Sequence, residues 1–434
     1  QTCQVTLAAP LADKAPSAHW QVCPLTLDQP DEVSPLLAEA DVVISSGFLS
    51  YNYPQLMELG IPWVVDAYIP SPTEGLAYYQ SHQFDEQVAA HRSDTDRQNR
   101  FFSQGDLFLC ASERQRDLYL GILASAGRLN PYTYAQDPTF RKLVDVVPFG
   151  LPAKAPLRRR GHVDREAEGT EQRDKVILWG GGLWDWLDPL TLIKAMALVV
   201  QKRGDVRLHF PGTRHPFCER VPDMPMRERA MALSDRLGLT GKHVSFGEWV
   251  PYQERESYLA EADIGVSLHL AGIESRFAFR TRVLDYIWAG LPMVLTRGDV
   301  LADLVAEHDL GILVAPEDVE GVANALLRLL EEQEDQGRDQ RFDELAGKLR
   351  WEVVAAPLIA YCSDPWRAAD KIAGYHLQPE ARDALPFDPK ELQTARARVG
   401  ELEQLVAAYE RGRFMRIMAR LKSWQHHLLG RRGG

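Results

Sequence analysis

The sequence predicts an α/β chain with two parallel-sheet domains and a helical tail. Three observations carry that expectation. Short apolar runs bounded by turn residues (41–46, 62–66, 106–111 and 144–148, then 176–179, 207–210, 244–246, 263–270 and 293–296) alternate with helix-length segments. That alternation is the signature of parallel α/β layers. Residues 153–174 lose all apolar periodicity and read as a linker. The 434 residues suffice for two domains, each with its own core. The expected division is a first domain over 1–152, the linker 153–174, a second domain over 175–362 and helices over 363–434.

Composition narrows the classes. Hydrophobic content of 45% and charged content of 25% are those of a globular protein. No apolar run is long enough to span a bilayer, and no signal peptide is visible. The five cysteines are scattered without metal-ligand spacing, which fits reduced thiols and a cytoplasmic location. Residues 411–434 hold seven basic side chains and no acid, so the other 410 residues must carry −19 for the net −12. A body so acidic argues against nucleic-acid binding.

In the first domain, Cys3–Pro10 reads as a strand without a preceding element. The next runs end in Ser45 and Ser46, in Asp66, and in Ser112, which suits a helix N-cap. Ligands of such sheets sit beyond the carboxyl ends of the strands. Ser45, Ser46, Tyr51, Asp66, Tyr68 and Glu74 are therefore the candidates on this side, although ordinary loop polarity accounts for any one of them. The triplet Asp94-Thr-Asp96 lies in a polar run and reads as loop rather than a metal site.

The second domain opens with a strand running into Gly180, Gly181 and Gly182, where backbone N–H groups can approach a ligand closely. Asp188 is the expected N-cap and Pro189 the first residue of the following helix. The pattern is neither a dinucleotide fingerprint nor a P-loop. Trp184 and Trp186 suit stacking on a base or sugar, or core packing. Arg214 and His215 stand at the end of the next strand. The segment Glu274–Leu295 reads as loop, helix and strand. Val283, Leu284, Ile287 and Trp288 share a face, Gly290 suits a left-handed C-terminus, and Pro292 follows. Arg280 and Arg282 stand at the helix start, where cations are unfavourable unless an anion binds there. Phosphate is the obvious anion, with Glu274 and Asp285 placed to hold hydroxyls beside it; scattered surface charge is the competing account. Glu317–Glu320 begins a helix to about Leu330, and 331–344 reads as a charged, solvated segment.

The tail from Glu391 shows two to three apolar heptads. Its last stretch, 411–434, interleaves Phe414, Ile417, Leu421 and Trp424 with basic residues. Such a helix suits an anionic membrane surface, or docking on the acidic body.

Asp285–Pro292 resembles the E-A-M-A-x-G-x-P segment of family 4 glycosyltransferases, and Gly105–Asp117, Val146–Pro152 and Val176–Ala195 are similar to further parts of that family. The resemblance implies the GT-B fold, with two Rossmann-like domains facing a cleft. It implies a retaining transfer of a sugar from a nucleotide diphosphate sugar, with no other cofactor and no metal, to a glycan or lipid-linked acceptor. Glu274 would then contact the donor sugar and Asp285 the ribose, with the base near Glu248–Val250. The departing phosphate would take the acceptor proton, as is thought for retaining enzymes of this type. The spacing from Glu274 to Asp285 is longer than the family's, and Phe277 occupies the ungapped position. The family's phosphate-binding lysine, expected near Leu187 and Asp188, is missing, so Arg280, Arg282 or Arg214 would supply that charge. A first strand and glycine-rich turn are expected ahead of Cys3. Polysaccharide or envelope biosynthesis at the inner face of a membrane is the implied setting. A nucleotide-sugar epimerase and a catalytically idle assembly module are the alternatives.

Overall fold

The computed structural model describes residues 3–9, 20–26, 29–47, 49–53, 56, 60–154, 156, 174–213, 224–251, 254–332, 336–375 and 398. Most of the expected linker and the whole stretch 411–434 lie outside them, as do Arg214 and His215. Residues 377–434 form a unit separate from 1–376.

Among the described residues, twelve strands organise the larger unit. β1 (Thr6–Ala9) and β2 (Gln21–Pro24) pair in parallel, Thr6 opposite Gln21. β3 (Val43–Ser46), β4 (Trp63–Asp66), β5 (Leu107–Cys110) and β6 (Val144–Val146) form a parallel sheet in sequential order. The second sheet comprises β7 (Lys175–Leu178), β8 (Val206–Phe210), β9 (Val244–Phe246), β10 (Ile264–Ser267), β11 (Met293–Thr296) and β12 (Gly311–Val314). Its order is β12-β11-β10-β7-β8-β9, all parallel. The direction of winding reverses between β7 and β10, and ligands of such sheets bind in the crevice beyond that point. β5, β10 and β11 are buried along their whole length, which explains their unbroken apolar reading.

The local signals are realised by side-chain hydrogen bonds. Asp188 Oδ1 accepts from Thr191 N at 2.9 Å and starts the helix Pro189–Lys202. Ser112 Oγ accepts from Gln115 N at 3.2 Å at the start of Glu113–Ser125. Asp318 caps Val319–Glu331 through Gly321 N at 2.8 Å. The helix Thr281–Ala289 buries Val283, Leu284, Ile287 and Trp288, and ends on Gly290 at φ 66°, a left-handed backbone that costs glycine no Cβ clash.

Two expectations are corrected. The run containing Asp94 and Asp96 is not a loop but part of the 21-residue helix Phe84–Gln104, whose partly buried face carries Gln98, Phe101 and Phe102. The segment expected to be solvated at 331–344 contributes most of the helix Gln336–Lys348, which buries Phe342 and Leu345. In both cases charge density hid a helix whose apolar residues are few but well spaced.

The end of the unit returns to the first sheet. Leu358, Tyr361 and Trp366 pack with Val64, Leu107 and Leu109, so the helix Ala356–Ser363 belongs with the first domain's core. The chain crosses between domains twice, where Leu151 N donates to Leu349 O at 2.7 Å and Trp351 N to Leu151 O at 3.1 Å. No helix among the described residues is long and apolar enough to cross a membrane.

Two glycines in the second sheet, Gly265 and Gly311, admit no side chain. A Cβ on Gly265, in the middle of β10, would come within 2.6 Å of the Tyr286 ring. Gly265→Ala is expected to destabilise by about 1–3 kcal/mol through overpacking, readable by urea unfolding. A change below about 0.5 kcal/mol would mean that the ring moves freely.

Candidate active site

Gly180–Gly182, Glu274, Arg280 and Arg282 follow β7 and β10, the two strands at the topological switch point. Gly180, Gly181 and Gly182 follow β7, and Gly181 has a φ of 109°, open to glycine at little cost. Tyr286 holds this turn against both central strands. Its hydroxyl accepts from Gly180 N at 2.7 Å and lies 2.9 Å from Val266 O and 3.2 Å from Leu178 O, its acceptors. Tyr286 was not singled out from sequence, because a fully buried tyrosine on an amphipathic helix reads as core.

Arg282 rises beneath the same turn. Its Nη2 donates to Gly182 O at 3.3 Å, and the guanidinium lies 4.9 Å from the Trp179 ring centroid. Burial lowers its pKa to about 10, still far above neutrality. Its Nη1 is buried without a hydrogen-bond partner.

Arg280 is the N-cap residue of the helix Thr281–Ala289, and its side chain is only 7% exposed. Nη2 donates to Glu274 Oε2 at 2.7 Å, and Nε lies 3.9 Å from Asp299 Oδ2. The guanidinium expected to meet phosphate is thus already shared by two carboxylates, though its Nε makes no hydrogen bond. Glu274, on the short helix Ile273–Phe277, is buried together with Asp299. Asp299 also caps the helix Val300–Glu307 through Ala302 N at 2.7 Å.

His269 completes this cluster. It is 2% exposed, with Nδ1 at 2.8 Å from Ser275 Oγ and 3.0 Å from Leu270 O, and Nε2 at 3.9 Å from Asp299 Oδ2. Burial, then the charge of Arg280, holds its pKa below the ordinary value, so the ring is neutral at physiological pH. Sequence reasoning missed His269, Ser275 and Asp299. They are distant along the chain or look like turn residues, and only the sheet order brings them together.

Asp285 is paired with a different arginine. Its Oδ1 lies 3.4 Å from Arg255 Nη1, and Arg255 sits over the Trp288 ring at 4.6 Å. Burial raises the Asp285 pKa to about 6 against the opposing pull of Arg255. Trp184 stacks on Trp186 at 5.6 Å and 7°. The loops after β8 and β9 are joined by Gly212 N donating to Glu248 O at 2.9 Å, with Trp249 43% exposed beside them.

The first-domain candidates divide. Ser45 is spent on the Trp63 indole, which donates to its Oγ at 2.9 Å. Ser46 and Asp66 are exposed at the ends of β3 and β4, and Asp66 Oδ1 accepts from Tyr68 N at 3.1 Å. Tyr51 lies in the helix Leu49–Asn52, and its side chain is outside the described set. Tyr68 reaches the second domain, its hydroxyl donating to Phe279 O at 2.7 Å. Gln115 Nε2 bridges the domains by donating to Tyr68 O at 3.0 Å and Phe277 O at 2.8 Å.

Glu74 of the first domain feels the cluster as well. Its helix, Ser71–Tyr78, packs beside Ile273–Phe277. Burial and then the charge of Glu274 raise its pKa to about 7, against the pull of Arg280. A raised carboxyl pKa means that the folded state holds a proton which the unfolded state releases at its ordinary value of 4.5. Stability should therefore fall as pH rises from about 4.5 to about 7 and level off above. Glu74→Gln is expected to remove that fall, seen as a melting-temperature gain over the parent that grows across this range. Parallel melting curves for the two proteins would show that Glu74 is ordinarily ionised.

Comparison with known proteins bears on the fold. A family model described as glycosyl transferases group 1 matches residues 174–332. A phosphatidyl-myo-inositol mannosyltransferase of Mycolicibacterium smegmatis is 27% identical over 167 residues, 38% of this chain and 40% of that protein. The aligned stretch thus spans well under half of that relative. Among solved structures, sucrose-phosphate synthase from Thermosynechococcus elongatus superposes with a TM-score of 0.57 at 16% identity, covering 82% of this chain and 87% of the other. A trehalose-6-phosphate structure from E. coli bound with UDP-2-fluoro glucose gives 0.55 at 15%, covering 78% and 76%. The chain therefore has the GT-B fold, and its second domain is similar to the group 1 glycosyl transferases over residues 174–332.

Proposed function

We propose that this protein transfers a sugar, with retention, from a nucleotide diphosphate sugar to a glycan or lipid-linked acceptor. The observation that carries the reading is the convergence at one switch point of a glycine turn, a helix start and two arginines, each with a buried nitrogen free of hydrogen bonds. Dipole, backbone N–H groups and guanidinium groups there favour a diphosphate. The similarity of residues 174–332 to group 1 glycosyl transferases supports it, as does the nucleotide sugar held by the E. coli neighbour.

In the proposed reaction the bond from the sugar's anomeric carbon to the diphosphate oxygen breaks and a bond to the acceptor hydroxyl oxygen forms. The acceptor proton passes to the departing phosphate. Positive potential from Arg282, the glycine turn and the helix start stabilises the leaving group. Glu274, ion-paired with Arg280 at 2.7 Å, orients the sugar hydroxyls, and Asp285 takes the ribose. The tail 411–434 supplies contact with an anionic membrane surface, which vesicle flotation with and without those residues tests; equal flotation would remove that part.

The deciding experiment is calorimetry of the full chain against UDP, GDP, ADP and TDP and their sugars. Selective uptake of one diphosphate, lost in Arg282→Ala, supports the donor site and names the base. If none binds, the idle assembly module becomes the better account.

A further inference from the structure

We infer that the cleft carries a binding track for an extended glycan, running from the glycine turn into a mixed polar and apolar hollow on the first domain. The inference rests on the transfer reading for its direction and extends it to the class of acceptor.

The track begins at the donor side. A Cβ on Gly182 would lie 3.2 Å from the Trp184 indole, so this ring sits directly over the turn. Trp184 stacks on Trp186, Trp186 meets Tyr78 of the first domain at 6.4 Å, and Tyr78 meets Tyr79 edge-on at 4.9 Å. Gln80 Nε2 donates to Asp185 O at 3.4 Å across the same crossing. All four aromatic residues are half-buried, so each keeps part of its surface open to solvent. Tyr79 then lines a hollow between the helices Ser71–Tyr78 and Phe84–Gln104, where Leu76 and Pro72 add apolar surface to Gln87, His91 and Asp94.

The chemistry of this path selects its ligand. A sugar ring has apolar C–H faces and a hydroxyl-bearing edge. Aromatic rings suit the first, while amide, carboxylate and imidazole groups suit the second. The four rings follow one another across the domain crossing, which favours a chain over a single sugar. The hollow is lined by one carboxylate and, among the described residues, by no lysine or arginine. That lining disfavours a phosphate-bearing ligand.

Titration of the full chain by calorimetry with maltohexaose, mannohexaose, glucose and mannose tests the track. At least one hexasaccharide is expected to bind tenfold or more tightly than its monosaccharide. Tyr79→Ala and Trp186→Ala should each weaken that binding at least fivefold, and Tyr79→Phe should retain most of it. Equal affinity for hexamer and monomer, no hexamer binding at millimolar concentration, or indifference to both alanine variants would overturn the proposal. Circular dichroism confirms that the variants fold. Binding of nucleoside diphosphate to the same samples separates the two claims: a track without a nucleotide site would leave this inference standing and sink the transfer reading, and the reverse result would do the opposite.

Discussion

Arg280→Ala is expected to cost about 3–5 kcal/mol of stability, the range for removing one partner of a buried ion pair. Glu274 and Asp299, 6% and 2% exposed, would be left buried with no cation between them and with Glu74 nearby. Like charges in a low-dielectric site repel strongly, and the carboxyl groups answer by taking up protons. Arg280 now lowers the pKa of both Asp299 and Glu74. Without it those values climb further above their unfolded values, so the variant loses stability as pH rises and lies closest to the parent in acid. Arg280→Lys keeps the charge but not the planar fork and should fall between the two. Urea unfolding at about pH 5 and about pH 8 reads this directly. A parent-like variant at the higher pH would show that the Glu274–Arg280 contact is solvated. If Arg280→Ala folds and still binds a nucleoside diphosphate as tightly as the parent, Arg280 serves Glu274 alone and Arg282 with the backbone carries the phosphate.

The second large effect is expected far from the site. Arg128 and Asp370, 5% and 1% exposed, form a two-pronged pair, Nε to Oδ2 at 2.7 Å and Nη2 to Oδ1 at 3.2 Å. Asn130 Nδ2 adds a third bond to Asp370 Oδ2 at 3.0 Å, and Arg128 Nη1 donates to Phe102 O at 3.0 Å. Nearby, buried Asp106 Oδ1 accepts from Ala368 N at 3.0 Å and Oδ2 from Trp63 N and Lys371 Nζ, each at 3.0 Å. These bonds fasten the returning segment to the first sheet. Asp370→Ala should cost about 3–5 kcal/mol, because it strands a buried guanidinium. Arg128→Met combined with Asp370→Leu should cost clearly less, since neither partner is then left unpaired. Limited proteolysis should cut the single variant within 356–375 well before the double. Equal stability of Asp370→Ala and the parent would show that apolar packing by Tyr361 and Trp366 alone holds the segment.

Much of the local structure was legible in the chain. Asp188, Ser112 and Gly290 each place a helix end, because capping chemistry involves residues within three or four positions of one another. β11 was readable as Met293–Thr296 for the same kind of reason: a short apolar run between a proline and a turn has few other conformations. The helix Phe84–Gln104 was not legible, since its buried face needs only a few residues and its polarity resembles a loop.

The sequence alone thus sufficed for the alternation of strands and helices and for the helix ends at Ser112, Asp188 and Gly290. It was silent on which carboxylate faces which cation. Sheet order brings the ends of β7 and β10 together, and with them Tyr286 under the glycine turn and Asp299 and His269 beside Arg280. Domain contact brings Glu74 to Glu274, and the return of the chain puts Asp370 against Arg128. Those pairings join residues separated by tens to hundreds of positions. Each is stabilised by burial, which depends on the whole packed molecule and leaves no periodic trace along the chain.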